Sequence, residues 1–474
     1  MPLVAGIPRQ RLLWGAAATL TGAVVAGSIA VSPLIAFALP ILAVGAVAVV
    51  QRPDIILLVM VAVLPWENKL GYPSPTLSLI KIIGAVTFLA YLIRVTRNKR
   101  QRIYLPPLLG VAVALFLWIG LSLITSTDPA YSVQKMLRYT LFISFFFLVI
   151  QLVDGRAGVE RVMRWFTVSV TLAAFYGIYT FITQGGGRAS GPVEDANDFA
   201  YLLAVTLPIC GYLIATDSRR RLLWSISFAL IAGATLATFS RGALVGLGVL
   251  LAWGVITRRI PVWAILTGLA TAGIVVVLAF TIWKPIVDQS LQQKEHIANA
   301  NETSRMAYWS VALQLTERHP LTGVGPDRYP IEAPPLIQNN PIFIAKPVTH
   351  NSYLEILSED GVPALLLFFL YIGLSWRELR KIQRRAARTG DIERRRLATA
   401  FQASIIVAVI SATFLSEQLT SPLWLLPALA LVLSREEYAA VPVDEHPPRE
   451  TEPVSPPAIP PPRPDVAGGR LVPV

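Results

Sequence analysis

The chain has 474 residues, of which 54% are hydrophobic and only 15% are charged, and its formal net charge is +12. Soluble domains carry about 25% charged residues, and here apolar runs recur along the whole chain, so a soluble enzyme is excluded, with or without a single anchor. The basic residues lie in short clusters between the apolar runs, which is typical of membrane topology signals and argues against nucleic-acid binding. The single cysteine, Cys210, lies inside an apolar run, which excludes disulfides and thiolate metal sites.

Apolar runs of about 20 residues, enough to cross a bilayer as a helix, follow one another from near the start of the chain. We predict spans at 12–31, 33–51, 53–65, 78–95, 105–125, 136–153, 163–183, 198–216, 222–239, 242–257, 261–283, 361–376, 397–416 and 419–434. The third run is short, as a broken or re-entrant helix would be. The first run follows two arginines, as in a signal peptide, but it continues nearly into the second run, so we interpret it as an uncleaved helix. The sequence therefore predicts an all-α polytopic membrane protein with about 12–14 transmembrane helices.

Basic loops alternate along the chain, which orients the spans in the membrane. The strongest basic segment is 377–396, which we interpret as a loop with nine basic residues. All the basic loops fall on the cytoplasmic side if both termini are cytoplasmic. The outer side then receives the segments 66–77, 126–135, 184–197, 240–241, 284–360 and 417–421.

The composition changes sharply near the end of the chain, which divides it into a membrane domain at 1–439 and a Pro-rich segment at 440–474. Such a segment cannot bury a core, so we expect a disordered cytoplasmic tail with polyproline II character. It is either a plain tail or a segment that binds a partner.

Cations gather at the predicted outer ends of helices, where the positive-inside rule disfavours them. These cations are Lys81, Lys135, Arg138, Arg188, Arg241 and Arg305. They either extend to lipid phosphates or form an anion site, because guanidinium groups bind phosphate bidentately. Arg241 lies in the tightest turn, between two apolar runs, where Gly242 would let the backbone approach a ligand.

The large outer segment at 284–360 is predicted to form a folded lid. Met306, Trp309, Ala312, Leu313 and Thr316 recur at helical spacing and predict an amphipathic helix over 304–317 that lies against the membrane or the bundle. Its first turn holds Arg305, which the helix dipole disfavours, and an anionic ligand would resolve that conflict. The glycines at 323 and 325 then predict a tight turn, a pattern that alone does not identify a phosphate loop.

His350 directly precedes a predicted short helix. Ser352-Tyr353-Leu354-Glu355 fits a capping box, and Gly361 would end the helix. The helix dipole and nearby arginines should lower the pKa of the imidazole, and a neutral imidazole can act as a general base. The alternative is a histidine that only caps the helix or hydrogen-bonds the loop.

Together these motifs resemble the O-antigen ligase and polymerase superfamily of polytopic bacterial glycosyltransferases. The resemblance covers residues 188–376. It is carried by Arg188-Ala189-Ser190-Gly191, Asn197-Asp198-Phe199-Ala200, Ser240-Arg241-Gly242, Arg305, Gly323-Val324-Gly325-Pro326, and His350-Asn351-Ser352-Tyr353-Leu354 with Glu359 and Gly361.

The resemblance implies a membrane glycosyltransferase of the bacterial inner (cytoplasmic) membrane with an extracytoplasmic site. It would move a glycan from an undecaprenyl-pyrophosphate-linked donor to an acceptor hydroxyl by metal-independent, inverting transfer, with no cofactor. The implied roles are His350 as base, Arg241, Arg305 and Arg188 on the pyrophosphate, and Glu359, Asn351, Lys135 and Arg138 in support.

The acceptor separates the alternatives within this class. A ligase would use a lipid, a glycan or another surface acceptor, whereas a polymerase would use a second lipid-linked glycan, and a protein hydroxyl is a third acceptor. The rival from a different class is a transporter or flippase, which would need polar groups lining a path through the bilayer. The predicted spans contain few such groups.

Overall fold

The protein, in a computed structural model, is described over residues 52–67, 78–97, 103–184, 187–193, 195–259, 305–337, 347–416 and 419–440, with isolated positions between them. Over these ranges it is built from helices and contains no strand. The helices are α1 (Pro53–Val63), α2 (Leu79–Arg97), α3 (Pro107–Ser122), α4 (Pro129–Leu152), α5 (Gly155–Thr183), α6 (Ala196–Thr216), α7 (Arg221–Ala237), α8 (Arg241–Ile256), α9 (305–318), α10 (Tyr329–Glu332), α11 (Pro334–Ile337), α12 (Ser352–Thr389), α13 (Ile392–Ser411) and α14 (Ser421–Ala440).

Seven helices in the described ranges are long and apolar enough to cross a membrane, and three shorter apolar helices accompany them. The seven are Leu79–Arg97, Pro107–Thr125, Pro129–Leu152, Gly155–Thr183, Ala196–Thr216, Ser218–Ala237 and Ser352–Thr389. The prediction of an all-α multi-pass membrane protein is thereby confirmed. The predicted spans at 12–31 and 33–51 and the tail after residue 440 lie outside the described residues, as does most of the span at 261–283.

Two predicted boundaries differ from the structure. Helix α4 begins at Pro129, well before the predicted 136, because the Asp128 side chain accepts the Tyr131 N–H at 3.2 Å and proline suits the first helical position. The prediction of a basic loop at 377–396 is wrong, because α12 continues through it to Thr389. Only the turn around Gly390, at φ 72°, separates α12 from α13.

Helix α6 lies at the centre of the bundle and packs against α7 and α13. In its most apolar stretch of 18 residues, 72% of the residues are buried, whereas the share is 28–44% for the other candidate spans. The Ser404 hydroxyl of α13 donates to the Val205 carbonyl of α6 at 2.8 Å, which satisfies a polar group inside the core. The most buried helix therefore fixes the positions of its neighbours, including the loops at its ends.

The glycines of α8 allow close helix packing. A Cβ atom on Gly246 would lie 2.7 Å from the Ser411 hydroxyl oxygen, and one on Gly242 would lie 2.9 Å from the Cβ of Phe414. Small residues spaced four apart are a common way to bring two membrane helices together. Packing against Phe414 therefore explains the glycine at 242 without a ligand.

Helix α12 is kinked at Gly361, where φ is 84° and ψ is 177°. A Cβ atom at this position would lie 2.1 Å from the Leu321 carbonyl oxygen, so only glycine fits. The Val362 N–H donates to the Pro320 carbonyl at 2.9 Å across the same contact. The predicted end of the short helix at Gly361 is confirmed, and residues 352–360 form a separate segment that leads into the span.

The predicted helix at 304–317 is confirmed as α9, and of its predicted apolar face Ala312 is buried inside the protein whereas two other residues are exposed. Met306 is 73% exposed and Leu313 is 47% exposed. The buried face consists of Tyr308, Val311, Ala312 and Leu315, which pack against Val324, Tyr329, Ala333 and Ile337. Both sets of residues have helical spacing, and the packing partner in the segment 324–337 decides between them.

The bundle has two distinct ends. The first residues of α2, α4 and α6 lie at the end that also holds α9 and His350, which we call the His350 end. Lys135 near the start of α4 contacts Glu355 there. The last residues of α2 and α4 reach the opposite end, which we call the arginine end because Arg94 and Arg97 lie there beside Leu152.

Candidate functional site

His350 lies in a turn that is fixed on both sides. The Trp309 indole N–H of α9 donates to the carbonyl of Thr349 at 2.9 Å. On the other side, the Asn351 side chain caps α12, since its Oδ1 accepts the N–H groups of Tyr353 at 3.0 Å and Leu354 at 3.1 Å. The imidazole is thereby placed between a helix start and the lid helix.

The predicted capping box is wrong, because Asn351 and not Ser352 is the cap. The Ser352 N–H donates to the carbonyls of Ala412 and Leu415 at 2.9 and 2.8 Å, and its hydroxyl donates to Leu415 at 2.7 Å. Glu355, the other half of the predicted box, reaches Lys135 instead. Ser352 therefore ties the His350 turn to the segment 411–415 at the end of α13.

The backbone of His350 is strained. Its φ of 47° lies in the left-handed region, where residues other than glycine are uncommon and only asparagine, aspartate and histidine are enriched. Such a conformation costs about 1–3 kcal/mol and persists where the surroundings determine it. Two hydrogen bonds supply that constraint: the Thr349 carbonyl accepts from Trp309, and the Asn351 side chain accepts from the Tyr353 N–H.

The charges around His350 favour its neutral form. Burial lowers the pKa of the half-buried imidazole below its ordinary 6.5, and the Arg305 guanidinium lowers it further, while Asp195 and Glu355 oppose the shift. Arg305 lies one helical turn before Trp309, so both project from the same face of α9. The bond from Trp309 to the neighbour of His350 therefore brings Arg305 close to the imidazole.

Arg188 belongs to the same electrostatic neighbourhood. Its Nε donates to the Thr238 carbonyl at 2.8 Å, and its Nη2 donates to the Asn197 side chain. Burial lowers its pKa, Arg305 adds to that shift by repulsion, and Asp195 opposes it. The structure thus brings together three of the predicted site residues: Arg188, Arg305 and His350.

Asp195 is a participant that the sequence reasoning missed. Its carboxylate caps α6 by accepting the N–H groups of Asn197 at 2.6 Å and Asp198 at 3.2 Å, and it also acts on Arg188 and His350. The signal was present in the sequence, since an aspartate directly before a long apolar helix is a typical cap. Its charge places one carboxylate among the cations of the site.

Arg241 is the first residue of α8 and is exposed. The Thr238 carbonyl that accepts from Arg188 lies just before it. Its neighbour Gly242 packs against Phe414, and Leu415 in turn accepts from Ser352. The chain neighbours of Arg241 and His350 therefore contact the same segment, 411–415.

Lys135 and Glu359 form a second, buried cluster with Glu355. The Lys135 ammonium contacts the Glu355 carboxylate at 2.8 Å and also pairs with Glu359. The Glu359 carboxylate accepts the backbone N–H groups of Asp327 at 2.9 Å and Tyr329 at 3.1 Å. This cluster fixes the lid to α4 and to the segment 352–360, and Glu355 links it to His350.

The glycine turn at 323–326 also attaches the lid to the segment 352–360. The N–H groups of Val324 and Gly325 donate to the carbonyls of Ser358 and Glu359, each at 2.9 Å. A Cβ atom on Gly323 would lie 2.2 Å from the Glu359 carbonyl carbon, so the two backbones are in direct contact. These donors are occupied by the protein itself, which explains the glycines without a bound phosphate.

A cavity of about 550 Å³ opens beside the buried cluster. Its polar side includes the cations Lys81, Lys135 and Arg138 and the carboxylates of Glu67, Asp198, Asp327 and Glu355. Its apolar side is formed by Met60, Leu64, Ile80, Leu141, Phe142, Phe145, Leu202 and Leu419. The cavity therefore combines charged groups of both signs with a hydrocarbon wall.

The site geometry agrees with a comparison against known protein families. The model of the O-antigen ligase family matches residues 226–369, which include Arg241, Arg305, His350 and Glu359. Residues 226–369 are therefore similar to an O-antigen ligase domain. This confirms the superfamily that the sequence motifs predict.

A curated relative extends the similarity beyond that domain. The chain is 26% identical over 284 residues to an O-antigen ligase from Pseudomonas aeruginosa. The match covers 57% of this chain, and the chain spans 65% of the length of that relative.

Proposed function

We propose that this protein is a ligase-like glycosyltransferase that moves a glycan from undecaprenyl pyrophosphate to an acceptor hydroxyl at the extracytoplasmic face. The observation that carries the proposal is the gathering of cations around a half-buried histidine. Arg305 repels both Arg188 and the protonated form of His350. A bound anion would relieve this repulsion, and the pyrophosphate of the donor is an anion of suitable charge.

In this proposal His350 acts as the general base. The acceptor oxygen attacks the anomeric carbon of the glycan while its proton passes to the neutral imidazole, and the bond from the anomeric carbon to the pyrophosphate oxygen breaks. A single displacement of this kind inverts the anomeric configuration. Lowering of the His350 pKa by burial and by Arg305 keeps the imidazole neutral before the reaction.

Arg305 and Arg241 are the proposed partners of the pyrophosphate. The leaving group gains negative charge as the glycosidic bond breaks, and fixed guanidinium groups stabilise that charge without a metal. Arg188 is a weaker candidate, because two of its donors already bind Thr238 and Asn197. Its contacts support a role in holding the turn that precedes Arg241.

Lys135, Glu359 and Asn351 are assigned supporting roles, and Arg138 is a further candidate for such a role. Asn351 caps the helix after His350, and the Lys135–Glu359 pair fastens the lid. Arg138 is exposed and lines the cavity of about 550 Å³, where it is available to a lipid-linked substrate. The similarity to the O-antigen ligase family model and to the O-antigen ligase of Pseudomonas aeruginosa supports a ligase over a polymerase.

The same proposal places the protein in the bacterial inner membrane with both termini cytoplasmic. Support comes from the arginine end, where Arg52, Arg94, Arg97 and Arg161 surround one cavity. Positive residues are enriched on the cytoplasmic side of membrane proteins. The opposite end, with His350, then faces outward.

Replacing Arg305 or Arg241 by glutamine should lower kcat/KM for the lipid-pyrophosphate donor by about 10–100-fold, the loss expected for a hydrogen bond to a charged group. The measurement is glycan transfer by purified protein with a defined lipid-linked oligosaccharide and acceptor. Arg318→Gln is the matched control, since Arg318 is exposed at the far end of the same helix as Arg305. Wild-type kcat/KM in both variants would remove the pyrophosphate assignment.

The rate of transfer should fall on the acid side with a midpoint below pH 6.5. The base must be neutral, the pKa of His350 is lowered from 6.5, and protonation therefore inactivates the enzyme only as the pH drops through that lowered value. In Arg305→Gln the repulsion is lost, so the midpoint should move to higher pH. Rate profiles of the two proteins at saturating donor test this, and an unchanged midpoint would contradict it.

A further inference from the structure

A second cavity lies at the arginine end of the bundle, between the starts of α1 and α5 and the ends of α2 and α4. Its volume is about 700 Å³. Its charged lining consists of Arg52, Arg94, Arg97 and Arg161 with Asp54 and Asp154. Four guanidinium groups around one concave surface are more than the two carboxylates can neutralise.

Ion pairing within the cavity does not neutralise its positive charge. Arg52 binds Asp54 with two contacts of 3.2 Å. Within the described ranges, Arg94, Arg97 and Arg161 form no ion pair of this kind with a carboxylate. Arg94 also acts on the Asp54 carboxylate, so Asp54 and Asp154 together face four arginines, and an anion would balance the positive charge that remains.

The rest of the cavity wall is hydrocarbon. It is formed by Leu57, Leu58, Ile93, Leu152, Val153 and Val162. Large apolar side chains continue outward from it within about one helical turn: Ile55 and Val59 on α1 and Leu89 and Leu92 on α2 are 44–58% exposed. In a membrane protein such side chains face acyl chains, so the cavity opens where head groups meet hydrocarbon.

We propose that this cavity binds the phosphate head group of an anionic phospholipid, with the acyl chains along α1 and α2. Basic pockets between transmembrane helices bind anionic head groups, and arginine grips phosphate with two parallel hydrogen bonds. A zwitterionic lipid would bring its own cation and leave the arginines unbalanced. The site is separate from the His350 end by the length of α2, about 28 Å for its 19 residues.

The test measures lipid binding by the full-length protein in mixed micelles with native mass spectrometry and thermal unfolding. Phosphatidylglycerol should bind at least about tenfold more tightly than phosphatidylcholine and raise the unfolding midpoint. The double variant Arg94→Gln/Arg161→Gln should lose that preference. The control Arg219→Gln/Arg220→Gln removes the same charge from exposed positions at the same end and should keep it.

Three results would overturn the proposal. Equal binding of the two lipids by the wild type would remove the charge selectivity, and a wild-type preference in the Arg94→Gln/Arg161→Gln variant would remove the site. Displacement of phosphatidylglycerol by inorganic phosphate at equal phosphate concentration would assign the cavity to a soluble anion. The comparison of the two lipids and the phosphate displacement both use the wild-type protein, so these two tests do not depend on whether the variant folds.

Discussion

Replacing His350 by alanine should lower the rate of glycan transfer by about 10²–10⁴-fold, the contribution of a positioned general base. The bonds that shape the turn come from the Thr349 carbonyl and the Asn351 amide, not from the imidazole. The variant should therefore accumulate normally and unfold near the wild-type temperature. Transfer to a defined acceptor, measured on purified protein, gives the result directly.

Two further substitutions separate chemistry from backbone strain. His350→Asn keeps a side chain that tolerates the left-handed region but cannot act as a base, so it should be as inactive as alanine. His319→Ala is the matched control, because His319 is exposed at the other end of α9 and outside the cluster. Transfer at the wild-type rate in His350→Asn would mean that this histidine only shapes the turn.

The position of His350 was predictable because its signals are local. A histidine followed by a polar cap and ended by a glycine defines a short helix start, and the helix ends at Gly361 as predicted. The identity of the cap was not predictable from that pattern. A helix start can use any of Asn351, Ser352 and Glu355 as a capping residue. Contacts with Lys135 and Leu415, which are far away in the sequence, engage Glu355 and Ser352 and leave Asn351 as the cap.

The buried ion pairs lay beyond sequence reasoning for the same reason. Lys135 and Glu355 are 220 residues apart in the chain, and no local pattern joins them. Lys135 was therefore grouped with the outer cations as a candidate for anion binding. Burial of its side chain between two carboxylates gives it a structural partner instead.

The buried face of α9 shows how a correct helix prediction can leave the orientation of the helix undetermined. Aromatic, aliphatic and small residues recur at helical spacing on two faces of this segment, so periodicity alone supports both. The observed face packs against the turn and short helices at 324–337, whose position depends on Glu359. The orientation matters for function, because it turns Arg305 and Trp309 toward His350.

Replacing Lys135 by methionine should destabilise the folded protein by about 3–5 kcal/mol, the usual result of leaving buried carboxylates without their partner. The Lys135 side chain is 5% exposed and that of Glu359 is 2% exposed, so water cannot take the place of the ammonium. Thermal unfolding in one detergent measures the loss. The exposed neighbour on the same helix supplies the control, and Arg138→Gln should leave the unfolding midpoint nearly unchanged.

Removing all three charges together distinguishes a structural pair from a substrate-binding lysine. In Lys135→Met/Glu355→Gln/Glu359→Gln the two carboxylates that contact Lys135 are neutralised together with it, so much of the lost stability should return. The Glu359 side chain would still offer an acceptor to the N–H groups of Asp327 and Tyr329, which keeps the lid in place. If Lys135→Met instead unfolds like the wild type and loses only affinity for the lipid-linked donor, the ammonium binds substrate. The sequence-based assignment of Lys135 to the anion site would then be correct.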